Sequence, residues 1–171
     1  MGICCCFWEK TPESVEHYLS NHAWPPYRDD LRLRYYDTGK TWTGLHYLFT
    51  QAQTRDSFPA NFIMNGTLLP NYDIEEENMD DEYYVEITSP FLYSVEETKT
   101  ISEFLDSLDK NKLRQGFNPK FLAAHAFPYQ YYDDEEAQDD YFHWLYYAFE
   151  KLQRLFHKAA SHNNCVIGRK S

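Results

Sequence analysis

No long apolar run occurs in this sequence, no basic leader precedes one, and no two cysteines stand at C-x-x-C spacing. The first two absences argue against a helical membrane span and a secretory signal peptide. The third removes the usual zinc patterns. Cysteine is scarce: Cys4, Cys5 and Cys6 are consecutive and Cys165 stands alone. Such a set cannot form a disulfide framework and points to a reducing, cytoplasmic setting. Basic charge is also short, with 16 Lys and Arg against 27 Asp and Glu, a net charge of −11. A surface of that sign repels nucleic acid and anionic membranes and attracts basic partners from a distance. There is no G-x-S-x-G, no Gly-rich phosphate loop and no His-Glu-x-x-His. The expectation is a protein with no catalytic residues, no metal and no cofactor.

What the chain has in quantity is aromatic side chains, 18% of its 171 residues, including 15 Tyr and 12 Phe. These serve cores and interfaces alike. The length fits a single domain, and the patterning predicts an α+β class: a mixed small sheet packed with several helices and a long C-terminal helix. Ile3 to Trp8 reads as a buried strand; Gly2 followed by cysteines is a weaker match to a lipidation site, because position 6 is cysteine where Ser or Thr is wanted. Thr11-Pro12-Glu13 starts a helix that ends near Asn21. Residues 22–39 read as a loop entering an uncertain piece. Lys40 to Gln51 predicts a helix with Trp42, Leu45, Leu48 and Phe49 inward, and 59–71 predicts loops around a strand at Phe62–Met64.

Tyr83, Val85 and Ile87 alternate with polar or aromatic neighbours as in a half-buried strand. Ser94-Val95-Glu96-Glu97 is a capping box, followed at helical spacing by Ile101, Phe104, Leu105 and Leu108. Short helices are predicted over Asp109 to Gln115 and from Asn118-Pro119 onward. A long one is predicted from about Asp139 to Ser161, with Phe142, Leu145, Tyr146, Phe149, Leu152, Phe156 and Ala160 on one face. Asn163-Asn164 marks a left-handed stop, and Cys165 to Ile167 a closing strand.

Several of these segments together resemble the YfbM-like family of small bacterial cytosolic proteins. The likeness is carried by Met1-Gly2-Ile3, by the block Gly39 to Thr50 with its Lys40-x-Trp42-x-x-Leu45-His46-x-Leu48 pattern, and by Ser94 to Glu97 with Ile101 and Leu105. It continues in Phe117-Asn118-Pro119, Phe127-Pro128 and the stretch Phe149 to Ile167. The resemblance implies a mixed α/β fold and a bacterial or phage source, and says little about chemistry. The chain departs from the family pattern in two acidic stretches, within 66–82 and at 133–140.

Individual candidates for chemistry give way to simpler readings. His46 beside Trp42 and Tyr47 suggests a small-ligand pocket, against a structural histidine bonded to a backbone carbonyl. His143 follows Asp139 and Asp140 at helical spacing, but no second carboxylate–histidine pair completes a metal site. Asp73-x-Glu75-x-Glu77 fails as a calcium loop, with Asn78 where Gly is required and Tyr84 where Glu is required. Cys165 falls at the end of a helix, where the dipole does nothing for a thiolate.

The acidic runs remain. Residues 73–82 and 133–140 hold 13 of the 27 acidic residues in 18 positions. They are bordered by Tyr72, Tyr83, Tyr84, Tyr129, Tyr131, Tyr132 and Tyr141. The ordinary reading is two solubilising loops. The functional reading is a protein–protein contact in which carboxylates steer and tyrosines anchor. Its candidate residues are Tyr72, Asp73, Glu75, Glu76, Glu77, Asp80, Asp81, Glu82 and Tyr84 in the first run. In the second they are Tyr131, Tyr132, Asp133, Asp134, Glu135, Glu136, Asp139 and Asp140. The expected function is an immunity-type inhibitor that occludes the active site of a cognate secreted bacterial toxin, a basic protein of nuclease or ADP-ribosyltransferase class. Neither nucleic acid nor membrane is an expected partner. The alternative is a YfbM-like housekeeping protein, an enzyme or not, with a small-ligand pocket near Trp42 and His46.

Overall fold

The first strand, β1 (Cys5–Lys10), alternates buried and half-buried residues along its length, as a strand between two covered faces must. Cys5, Phe7 and Glu9 point to one side, Cys6, Trp8 and Lys10 to the other. The computed structural model describes residues 4–23, 35–52, 58–72, 88–125 and 134–170. Helix α1 (Pro12–Asn21) follows at once: Thr11 Oγ1 accepts from the Ser14 N–H at 3.2 Å, Pro12 occupies the first turn, and His22 closes the helix with φ of 57°. Then come β2 (Tyr35–Asp37) and a 3₁₀ turn at Gly39–Thr41. Helix α2 (Trp42–Ala52), a 3₁₀ turn at Phe62–Met64 and β3 (Thr67–Leu68) follow, then β4 (Phe91–Tyr93).

Helix α3 (Val95–Asp106) starts on the predicted capping box. Ser94 Oγ accepts from the Glu97 N–H at 3.2 Å while Glu97 Oε2 accepts from the Ser94 N–H at 2.8 Å. Helix α4 (Lys110–Gly116) is capped by Asp109, and α5 (Pro119–His125) by Asn118, whose Oδ1 accepts from the Phe121 N–H at 3.0 Å. The long helix α6 (Glu135–Ser161) leads through Asn163, φ 54°, into β5 (Cys165–Lys170).

The strands lie in the order β2-β1-β5-β4-β3, so the last strand in the sequence holds the middle of the sheet. The α+β class stands as read, with strand direction now specified: each of the four pairings is antiparallel. One face carries the main core, where Phe7 packs edge-on or tilted against Phe62, Phe91 and Phe156, while Phe49 stacks on Phe62 and meets Phe104 and Phe149 edge-on. Helices α2, α3 and α6 close this side. The other face holds a smaller cluster in which Val15 and Tyr18 of α1 cover Cys165 and Ile167. Gly168 is required by close approach: a Cβ there would stand 2.0 Å from the Phe91 ring, which lies directly over it.

Three expectations change. Phe62–Met64 is a 3₁₀ turn, and the short strand lies at Thr67–Leu68 instead. Phe62 and Ile63 are both buried, which an alternating strand would not permit. The start of the long helix moves back from Asp139 to Glu135, so residues 134–140 are its cap and opening turns and not a loop. The physical reason is the helix dipole, which stabilises carboxylates around the exposed N–H groups of the first turn. Finally, Lys40 belongs to the 3₁₀ turn before α2. The expected strand at Tyr83 to Ile87, the first acidic run and most of 22–39 lie outside the described residues.

Candidate functional site

The second acidic run is built into the start of α6. Asp134 Oδ1 accepts from the Glu136 N–H at 3.3 Å, and Glu135 and Glu136 occupy the first turn. Asp139 pairs with Arg114 of α4, and that guanidinium also lies over the rings of Phe142 (4.7 Å) and Phe117 (5.3 Å). Four of the run's carboxylates thus have a local role in capping or docking the helix. Asp140 is exposed. His143, expected beside Asp139 and Asp140, is exposed, while Asp139 faces Arg114.

Along α6 the helical period sorts the side chains into two stripes. Phe142, Leu145, Phe149, Leu152 and Phe156 are buried against the sheet and α3. Glu136, Asp140, Trp144, Tyr147 and Lys151 recur at three- and four-residue steps on the opposite side. Trp144 is 47% exposed and Tyr147 56% exposed. Such exposure is high for large aromatics in a helix that has a complete core face. Lys151 Nζ stands 5.0 Å from the Tyr147 ring centroid, and Tyr141 approaches Trp144 at 6.2 Å. Across the helix edge, burial raises the Tyr36 hydroxyl on β2 to about 12, helped by the nearby Tyr147 and Asp37. Sequence reasoning missed Trp144 and Tyr147, although their phase, opposite Phe142 and Leu145, was visible.

Tyr72, expected to flank an acidic loop, is tied into the small cluster. It stacks on His22 (4.2 Å, 20°) and leans on Tyr18 (5.2 Å). Asp73, Glu75, Glu76, Glu77, Asp80, Asp81, Glu82, Tyr84, Tyr131, Tyr132 and Asp133 lie outside the described residues.

The trio Trp42, His46 and Tyr47 is divided. Trp42 and His46, one helical turn apart, face the end of β5, where Lys170 Nζ stands 5.7 Å from the Trp42 ring and 5.9 Å from that of Phe91. Burial, and then the Lys170 charge, lowers the His46 pKa, so the imidazole is held neutral. Its Nδ1 is buried and meets no hydrogen-bond partner among the described residues, so none of them supplies that nitrogen with the expected backbone carbonyl. Tyr47, five residues beyond Trp42, turns the other way. It lines a cleft of about 490 Å³ with Gln51, Gln115, Gly116, Phe117, Asn118, Pro119, Lys120 and Gln138.

Elsewhere, Glu9 is buried at the inner end of β1 and accepts from Asn164 at 2.7 Å, with His162 Nδ1 also at 2.7 Å. This ties the C-terminus of α6 to the sheet. Burial raises the thiols of Cys5 and Cys165, which keeps both protonated and poorly nucleophilic. Among the described residues there is no group of three or more side chains placed to hold a metal, and no helix is long and apolar enough to cross a membrane.

Among curated proteins, none matches the chain. A crystal structure of a protein of unknown function, YfbM from Escherichia coli, is similar over 96% of this chain and 98% of that one. The two share 22% sequence identity with a TM-score of 0.66, a likeness of fold. The family model described as a domain of unknown function, DUF1877, matches residues 1–168, and the chain belongs to that family.

Proposed function

We propose that this protein works by binding another protein, and that it is an immunity-type inhibitor that occludes the active site of a cognate antibacterial toxin in the cytoplasm. The observation that carries the reading is the outer stripe of α6, where Asp140 precedes the exposed Trp144 and Tyr147 by one and two turns. Exposed Trp and Tyr are the side chains that most often anchor an interface, because they bury large area at little entropic cost. The net charge of −11 steers a basic partner toward them and raises its association rate. A toxin that holds phosphates, as a nuclease or an ADP-ribosyltransferase does, presents such a basic cleft. The first acidic run would add to the steering.

The test is titration of the purified protein against the product of the neighbouring gene, at low and high salt. Binding should weaken as salt rises, and Trp144→Ala with Tyr147→Ala should speed dissociation at least tenfold, the effect of losing about 1.4 kcal/mol. If no basic protein binds, or if binding is flat with salt and indifferent to both substitutions, the reading is wrong.

A further inference from the structure

The outer face of α6 follows a stricter repeat than exposure alone requires. Ala137, Asp140, Trp144, Tyr147, Lys151 and Arg154 succeed one another at alternating steps of three and four residues. That is the spacing of a coiled-coil seam, and it keeps all six residues within a narrow strip of the helix surface. Asp140, Trp144, Tyr147 and Arg154 are exposed, and Ala137 and Lys151 are half-buried. The core stripe, Phe142, Leu145, Phe149, Leu152 and Phe156, runs at the same spacing on the opposite side. One helix thus carries two seams, and the core of the chain takes up one of them.

The order of residues along the outer seam has a symmetry. Counted inward from its two ends, Ala137 corresponds to Arg154, Asp140 to Lys151, and Trp144 to Tyr147. Laid antiparallel on a second copy of itself, the seam brings the members of each of these pairs together. Every pair then occurs twice, on either side of a two-fold axis that crosses the helix between Trp144 and Tyr147, as an isologous contact demands. At the centre, two indole–phenol pairs bury the rings. Outside them, Asp140 meets Lys151 at both ends. Glu136, next to Ala137 in the first turn of the helix, adds a carboxylate on the side of Arg154. Lys151 Nζ already lies 5.0 Å from the Tyr147 ring centroid of its own chain, so the ammonium is held along the seam. A parallel pairing sets Asp140 on Asp140 and Lys151 on Lys151, which repels at both ends.

We infer that this seam pairs two copies of the chain, antiparallel, in a weak homodimer. The seam spans about 25 Å of helix, a small interface of the kind that gives reversible association. The inference rests on the proposed reading of the stripe as a docking surface, and it adds the state of that surface before a toxin arrives: a second copy covers Trp144 and Tyr147.

The test is sedimentation of the full chain, alone, over a range of concentrations. The parent should dimerise with a submillimolar dissociation constant. Asp140→Lys and Lys151→Asp should each weaken the dimer by at least about tenfold, because like charges then meet at both ends. An equal mixture of these two variants should dimerise again, since every Lys in the mixed pair faces an Asp. Trp144→Ala, which leaves each charge in place, should weaken the dimer by about tenfold through the centre of the seam. The inference is overturned if the parent stays monomeric into the millimolar range, which leaves the seam to a foreign partner. It is equally overturned if the dimer is indifferent to all three substitutions, or if the mixture stays monomeric. No toxin is present in this measurement. A failed titration against the neighbouring gene product therefore refutes the toxin reading and leaves the pairing standing, and a monomeric parent does the reverse.

Discussion

The two sides of the long helix make the most informative contrast in the molecule. The inner stripe, from Phe142 to Phe156, is explained fully by what it touches: the Phe156 ring sits among Phe7, Phe62 and Tyr93 at 5.2 to 6.1 Å. The outer stripe carries rings at least as large, yet Trp144 and Tyr147 keep about half their surface in solvent. The same backbone period produced both. Apolar area on the inside is matched by a sheet, whereas on the outside much of it stays open to solvent. An aromatic that stability does not require is the kind of residue selection for binding retains.

The contrast can be broken most sharply on the inside. Phe156→Ala should destabilise the protein by about 3–5 kcal/mol, read from urea unfolding, since a cavity is left in a close-packed aromatic core. A loss below about 1 kcal/mol would mean the core is not packed as described. At the helix start the expected effect is smaller. Asp134→Ala should cost about 1 kcal/mol, the usual worth of an N-cap. A null result would return residues 134–140 to the status of a free acidic run.

A weaker effect concerns the neutral His46. Its folded pKa is lowered by burial and by Lys170, so below its ordinary value the unfolded chain binds a proton that the folded chain refuses. Stability should therefore fall as pH drops from about 6.5 toward the lowered folded value. His46→Gln should flatten that dependence, measured as urea midpoints across the same range. Persistence of the full slope in the variant would locate the proton elsewhere. The smallest effect belongs to the outer stripe. Trp144→Ala and Tyr147→Ala together should change stability by no more than about 0.5 kcal/mol. A larger loss would show that the two rings serve the fold, and the case for a docking surface would weaken with it.

Much of the fold was legible in the residues wherever the signal was local. The capping box at Ser94 and Glu97, the Thr11-Pro12 start and the Asn163 stop each depend on side chains within a few positions, so the sequence displays them directly. Readings failed where two local forces competed. Phe62-Ile63-Met64 is apolar enough for a strand, but an isolated apolar triplet carries no period, and burial of consecutive residues settled it as a turn. By charge the run at 133–140 reads as an exposed loop, but from Asp134 onward it caps and opens a helix, whose dipole favours carboxylates in its first turn. The trio Trp42, His46 and Tyr47 looked like one site because the residues are adjacent in sequence. On a helix, a step of four keeps a face and a step of five leaves it, so Tyr47 joined the cleft instead.

By itself the sequence determined the class of the domain, the positions of its long helices and the excess of negative charge, because periodicity, caps and composition are properties of the chain alone. Only the tertiary structure decided that the last strand lies at the centre of the sheet, that Glu9 is buried beneath His162, and that Gln51, Gln115 and Gln138 from three helices meet Asn118 in one cleft. Those outcomes join residues far apart in sequence, and they are fixed by which surfaces pack together. No local pattern encodes that choice.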